Sequence, residues 1–234
     1  MPNATIQNDL KNAAAEAAAA KLTDGLIVGL GSGSTAALAV EAIAKRVRQG
    51  LKIIGIPTSE QTGHLASSLG ITVSSLAEHD QIDVNIDGAD EVELGTLNLI
   101  KGLGGAELRE KIVATASARF VVIVDETKLV DQLGTREPVP IEIVPFGWQT
   151  TAKRLERLGA KISPRLRSDG QLFVSDGGHY ILDCHFGPIK SPTELQRQLD
   201  GVVGVVEHGL FLGMATEVIV GATSGVKVLT KKLA

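Results

Sequence analysis

Short apolar runs, glycine-containing turns and longer amphipathic stretches succeed one another along the first 136 residues. Apolar runs bounded by turn residues predict buried strands, and apolar positions three to four apart predict helices. On that basis the Ala-rich stretch Ala13–Ala20 is a helix, Leu26–Leu30 a strand and Thr35–Arg48 a helix. Strand Lys52–Ile56 and helix Glu60–Leu69 follow, then strand Gln81–Ile86, helix Ala106–Ala116 and strand Phe120–Asp125. Strands and helices in alternation across short turns predict a parallel sheet covered by helices, with ligands at the carboxyl ends of the strands.

The pattern changes after Glu137-Pro138-Val139-Pro140, which sets an expected domain boundary. Beyond it come a strand at Ile141–Val144, a helix at Thr150–Leu158 and two strands, Ile162–Arg167 and His179–Phe186. Helix Thr193–Leu199 and strand Val205–Phe211 complete a β-α-β-β-α-β order, the split βαβ or ferredoxin-like arrangement. Two strand-like pieces, Glu217–Val220 and Val226–Leu229, are expected to rejoin the first sheet. The predicted organisation is therefore one domain of residues 1–136 plus 209–234, with 137–208 inserted.

Composition narrows the function. With 23 Lys+Arg against 27 Asp+Glu the formal charge is −4, which offers no general attraction to nucleic acid or an anionic membrane. The single cysteine, Cys184, excludes a disulfide scaffold and reads as a buried small residue. No apolar run approaches the roughly 18 residues that span a bilayer, and the first 20 residues do not read as a secretory or transit segment, so a cytoplasmic setting is expected. The five histidines lack metal-ligand spacing and read as structural; Trp148 is expected to pack at the domain junction.

Three loops at predicted strand ends hold the candidate chemistry. In Gly31-Ser32-Gly33-Ser34-Thr35 the glycines allow close backbone approach, and the hydroxyls stand where a helix N-terminus presents free N–H groups to a phosphate. A plain turn with a Ser or Thr N-cap is the competing reading. Asp83 to Gly88 imitates the start of an EF-hand loop, but position twelve is Leu94 rather than a bidentate Glu, so calcium is rejected. Asp87 and Asp90 instead project from an Asp-Gly turn, where they could act as a base, grip hydroxyls or serve the turn alone. In Lys101-Gly102-Leu103-Gly104-Gly105 the lysine and backbone N–H groups could stabilise an oxyanion. Glu107 and Glu110 share a helix face, either for chemistry or for the helix dipole, while Leu108, Ile112 and Val113 are expected to face the core.

Taken together, these loops resemble the signature segments of the A-type ribose-5-phosphate isomerases. The resemblance extends to Glu110-Lys111, to Val124-Asp125-Glu126-Thr127-Lys128, to Pro138-Val139-Pro140-Ile141-Glu142 and to Ser175-Asp176-Gly177-Gly178 with Ile181-Leu182-Asp183, in order over essentially the whole chain. It implies an α/β fold, a Rossmann-like three-layer domain with an inserted ferredoxin-like α+β domain. It also implies interconversion of ribose 5-phosphate and ribulose 5-phosphate in the non-oxidative pentose phosphate branch, as a homodimer or homotetramer without metal or organic cofactor.

By family position Glu110 would be the base, Asp87 would assist ring opening, and Lys101 with the N–H groups of Gly102, Leu103 and Gly104 would stabilise the oxyanion. Substrate would rest on Ser32, Gly33, Ser34 and Thr35, on Gly88, Ala89 and Asp90, and on Lys128 and Lys11. Two positions depart from the family pattern: Ser32 stands where Thr is common, and Leu103 where some members carry Gly. The alternatives are a non-catalytic sugar-phosphate sensor domain and an acyl-CoA transferase of related fold.

Overall fold

The computed structural model describes residues 4–231, so the outermost residues of the predicted large domain lie outside it. Helix α1 (Ala4–Ala20) precedes β1 (Ile27–Leu30), α2 (Ser34–Arg48), β2 (Ile54–Pro57), α3 (Glu60–Ser68) and the short β3 (Thr72–Val73). β4 (Val84–Gly88) leads through β5 (Glu91–Glu93) and β6 (Leu99–Ile100) to α4 (Glu107–Thr115) and β7 (Phe120–Asp125). After β8 (Leu129–Val130) come β9 (Val139–Ile143), α5 (Trp148–Arg157), β10 (Lys161–Pro164) and β11 (Tyr180–His185). The chain closes with α6 (Pro192–Asp200), β12 (Val205–His208), β13 (Leu210–Phe211), β14 (Glu217–Ala222) and β15 (Gly225–Thr230).

The main sheet has the order β15-β14-β7-β4-β1-β2-β3, parallel except for the antiparallel edge pair β14 and β15. Both final strands thus rejoin the first sheet, as their apolar pattern predicts. β7 shows why its sequence is continuously apolar: Val121 and Ile123 pack with the small face of α1 (Ala14, Ala15, Ala18) and with α2, while Phe120, Val122 and Val124 pack with Phe211 on the other face. The strand order reverses direction between β1 and β4, so the loops after these strands diverge and leave a crevice at their carboxyl ends.

A second sheet, β10-β11-β9-β12, is wholly antiparallel and carries α5 and α6, which gives the ferredoxin-like order expected from the sequence. Its core includes Ile141, Ile143, Leu155, Leu182, Cys184 and Leu199, and continues into Ile100, Val130 and Leu133 of the first unit. Trp148 packs edge-on against Tyr180 at 6.5 Å within this core, rather than at the junction where the sequence placed it.

The predicted strand Val205–Phe211 is two strands in different sheets. Gly209 separates them, donating to Pro140 O at 2.7 Å in one and accepting from Lys101 N at 2.9 Å in the other. β13 belongs to a small third sheet, β13-β6-β5-β8, that the sequence pattern does not reveal because its strands are only two or three residues long. This sheet matters for the site. Pairing of Glu91 with Ile100, and Asp90 N donating to Ile100 O at 2.8 Å, bring the Asp87–Asp90 turn beside Lys101.

Candidate active site

At the end of β1 the chain enters α2 through Gly33, whose φ of 90° places it at the N-cap with no side chain capping the helix. The Ser/Thr N-cap reading is therefore not what forms here, and the first-turn N–H groups remain available to an anion. Ser32 is the best-connected hydroxyl of the loop. Its Oγ lies 2.7 Å from Thr58 Oγ1, donates to Ser59 Oγ at 2.8 Å and stands 3.2 Å from Thr62 Oγ1. Thr62 in turn donates to Gly31 O at 3.0 Å. Thr58, Ser59 and Thr62 support the site from the end of β2 and the start of α3, and their position after a strand end is the signal in the sequence that points to them.

Gly31 is required by a close approach, since a Cβ there would lie 2.1 Å from Asp87 Oδ1. Lys11 reaches across from α1, with Nζ 3.4 Å from Ser34 Oγ. Lys128 sits in the single turn Glu126–Lys128 after β7, 3.9 Å from Glu137 Oε1. Both lysines border the same cleft as Ser32, Gly33, Ser34, Thr35, Gly88, Ala89, Asp90, Lys101, Gly102, Gly104 and Glu110. Asp87 is buried behind this lining, and Leu103 is turned aside, its N–H donated to Asp90 Oδ2 at 3.0 Å.

Below the cleft three ionisable groups are buried together. Lys101 is only 2% exposed, yet its Nζ lies 3.0 Å from Asp87 Oδ2 and 3.3 Å from Glu110 Oε2, and donates to Gly88 O at 2.6 Å. Burial alone would lower the pKa of Lys101, but the negative charges of Asp87, Glu110 and Asp90 outweigh it and hold the ammonium above its ordinary value. Burial raises Asp87, against the opposing pull of Lys101 and of hydrogen bonds from Gly88 and Ser32. Burial, reinforced by the charge of Asp87, holds Glu110 well above the usual carboxylate range despite Lys101. A carboxyl moved toward the working pH is what proton transfer from carbon requires.

The intervening loop takes its shape from Gly102 and Gly105, with φ of 101° and 80°. Leu97 is the sole non-glycine with positive φ among the described residues, so Leu103 occupies a conformation open to any side chain. Helix α4 inverts the expected burial. Glu107 and Glu110 face inward and Ile112 is 48% exposed, while Leu108 is half-buried; only Val113 follows the apolar-inward expectation. Helical spacing identifies a face but not which neighbour it meets, and here the inward neighbours are the Lys101 ammonium and the glycine loop. Glu107 is fully buried with neither carboxyl oxygen hydrogen-bonded, and burial pushes its pKa up to about 8.

An open α/β sheet with an uncapped helix end open to an anion at its switch point, beside a buried carboxylate–ammonium–carboxylate cluster, has the make-up of a sugar-phosphate isomerase. Residues 54–225 match the family Ribose 5-phosphate isomerase A (phosphoriboisomerase A). The ribose-5-phosphate isomerase A of Gloeobacter violaceus is 58% identical over 225 residues, covering 96% of this chain and 97% of its own. That of a Synechococcus species is 54% identical over 223 residues, covering 95% and 97%. Among solved structures, ribose 5-phosphate isomerase A from Methanocaldococcus jannaschii superposes with a TM-score of 0.91 at 40% identity, covering 95% of this chain and 99% of its own. A D-ribose-5-phosphate isomerase in complex with phospho-erythronic acid gives 0.92 at 39% identity, covering 95% and 98%. The chain belongs to the ribose 5-phosphate isomerase A family.

Proposed function

We propose that this protein interconverts D-ribose 5-phosphate and D-ribulose 5-phosphate through an ene-diolate, with Glu110 as the proton-transferring base. The observation that carries the assignment is the burial of Glu110 3.3 Å from Lys101, at the floor of a cleft whose rim is the α2 N-terminus. The phosphate rests on Ser32, Gly33, Ser34 and Thr35, with Lys11 and Lys128 neutralising its charge. Gly88, Ala89 and Asp90 hold the sugar hydroxyls, and Asp87 assists opening of the furanose ring.

In the open-chain aldose Glu110 removes the proton from C2, the C2–H electron pair becomes the C1–C2 double bond, and the carbonyl pair moves onto O1. Lys101 and the loop N–H groups oppose the charge on O1. Transfer of the O2 proton to O1 and return of the carbon-bound proton from Glu110 to C1 gives the ketose, so atoms and electrons balance without a metal or organic cofactor. A sensor domain would need only the phosphate loop, and the transferase reading would make Glu110 a nucleophile. Neither accounts for the cation held between two buried carboxylates.

We further read residues 137–208 as a unit inserted into 1–136 plus 209–234, supported by the separate antiparallel sheet and by the return of β14 to β7. A cytoplasmic homodimer or homotetramer is the expected form. The test is ribulose 5-phosphate formation in excess EDTA by wild type and by Glu110→Gln, with folding confirmed by circular dichroism. Turnover by wild type and a loss of about 10²–10⁴-fold in the variant are expected. A folded wild-type protein without turnover would overturn the reading.

A further inference from the structure

We infer that Arg165, contributed by the 137–208 unit, is a positioning residue for the isomerisation: its guanidinium sets the direction of the peptide N–H groups in the Lys101–Gly105 loop. The inference rests on the function proposed above and extends it to a residue outside the cleft.

Arg165 follows β10 and is held by main-chain bonds on both sides, its N–H donating to Ile181 O at 2.9 Å and its C=O accepting from Phe173 N at 2.9 Å. Its side chain is 12% exposed. Nη1 donates to two consecutive carbonyls of the loop, Gly102 O at 2.8 Å and Leu103 O at 3.1 Å. The other edge of the guanidinium is fixed by Asp183 on β11, which takes Nε on Oδ2 at 3.1 Å and Nη2 on Oδ1. A planar fork engaged along two edges has little freedom to rotate.

The consequence for the loop follows from peptide geometry. In a trans peptide the C=O of one residue and the N–H of the next point in opposite directions, and no cis peptide occurs among the described residues. Two carbonyls drawn toward Arg165 therefore turn the N–H groups of Leu103 and Gly104 away from it. The Leu103 N–H meets Asp90 Oδ2 at 3.0 Å. The Gly104 N–H has no protein partner among the described residues, and Gly104 borders the cleft beside Lys101 and Glu110. That leaves it, beside the likewise unpartnered Gly102 N–H, available to the O1 oxyanion, and it is the one of the two whose peptide the clamp turns. Lys101 is anchored independently by Asp87, Glu110 and Gly88, so the clamp acts on the peptide donors and not on the ammonium. Within the loop, glycines on both sides of Leu103 weaken steric control of these peptide planes, and the one internal bond, Gly105 N–H to Gly102 O at 2.9 Å, touches only the first of them.

Glu107 lies under the same loop and does not compete for the guanidinium. A Cβ on Gly102 would be 2.7 Å from Glu107 Cβ, yet neither Glu107 oxygen accepts a hydrogen bond. Asp183 is thus the carboxylate that orients Arg165.

The experiment compares wild type, Arg165→Met, Arg165→Lys and Asp183→Asn as full chains. It measures kcat and KM for ribose 5-phosphate, inhibition by phospho-erythronic acid and thermal unfolding. Loss of an aligned oxyanion donor predicts a fall in kcat of about 10- to 100-fold in Arg165→Met, with KM within about 3-fold because the phosphate cradle is not touched. Arg165→Lys recovers part of the loss through a single donor, and Asp183→Asn gives an intermediate fall. Phospho-erythronic acid binding weakens along the same series more than KM changes.

Should Arg165→Met fail to fold, Arg165→Lys and Asp183→Asn carry the same test. A kcat within twofold of wild type in the folded variants overturns the inference, as does a parallel rise in KM that leaves the kcat of folded enzyme unchanged. Failure of the underlying function is separately visible, because wild type itself would then lack turnover.

Discussion

Replacing Lys101 by Met keeps the stem of the side chain and removes the charge from the centre of the site. In the native protein that ammonium lies 3.0 Å from Asp87 and 3.3 Å from Glu110, both buried. Removing one partner of a buried ion pair typically costs about 3–5 kcal/mol, because the remaining charge is left uncompensated. Two carboxylates remain here, each already raised by burial, and protonation is their only relief.

A carboxyl whose pKa is higher folded than unfolded contributes stability that is complete below its unfolded pKa and declines as pH rises through the folded value. Lys101→Met raises both folded values further, so its destabilisation should grow with pH. The expected loss is smallest near pH 5 and reaches about 3–5 kcal/mol at neutral pH and above. For a chain of this size that is a fall in Tm of about 6–20 °C. The assay is urea and thermal unfolding of both proteins at pH 5, 7 and 9, beside isomerase activity, which should fall by at least about 10²-fold. A destabilisation under about 1 kcal/mol at pH 7, or one that shrinks as pH rises, would refute the electrostatic account of the cluster.

Other outcomes follow from the same geometry. Lys11→Ala and Lys128→Ala should each raise KM by about 3- to 10-fold while leaving kcat near wild type, since both border only the cradle, and steady-state kinetics will show it. The acid limb of the kcat/KM profile should lie well above the usual carboxylate range, because Glu110 must be ionised to act. In Asp87→Asn the limb of the residual activity should move to lower pH, since the Asp87 charge is one of the causes that raise Glu110. Glu107→Leu should stabilise the protein by about 1–3 kcal/mol by removing an unsatisfied buried carboxyl. That gain should increase between about pH 5 and pH 8, where the wild-type group, raised to about 8, progressively loses its favourable protonated state; urea unfolding across that range measures it.

Much of the architecture was legible from local pattern. β7 is a run of six buried residues, the βα order predicts a parallel sheet, and the β-α-β-β-α-β order predicts the second one. The glycine loops stood out because backbone freedom is written directly in composition. The small sheet β13-β6-β5-β8 was not legible, since two-residue strands carry no periodicity and form only by long-range pairing. The division of Val205–Phe211 was hidden for the same reason, its break being set by where Pro140 and Lys101 meet Gly209.

For the site, the chain alone determined which groups exist and, by their positions at strand ends, that the Ser32 and Asp87 loops share one edge of a sheet; the place of Lys101 depends on the small sheet that the pattern does not reveal. Tertiary structure decided what each group meets. It placed Lys101 between Asp87 and Glu110, turned Glu107 inward and Ile112 outward, diverted the Leu103 N–H to Asp90, and brought Arg165 from 63 residues away onto Gly102. Spacing along a helix or strand is a local property fixed by backbone geometry. Burial, pKa and donor direction depend instead on neighbours distant in sequence, and only the folded chain supplies those.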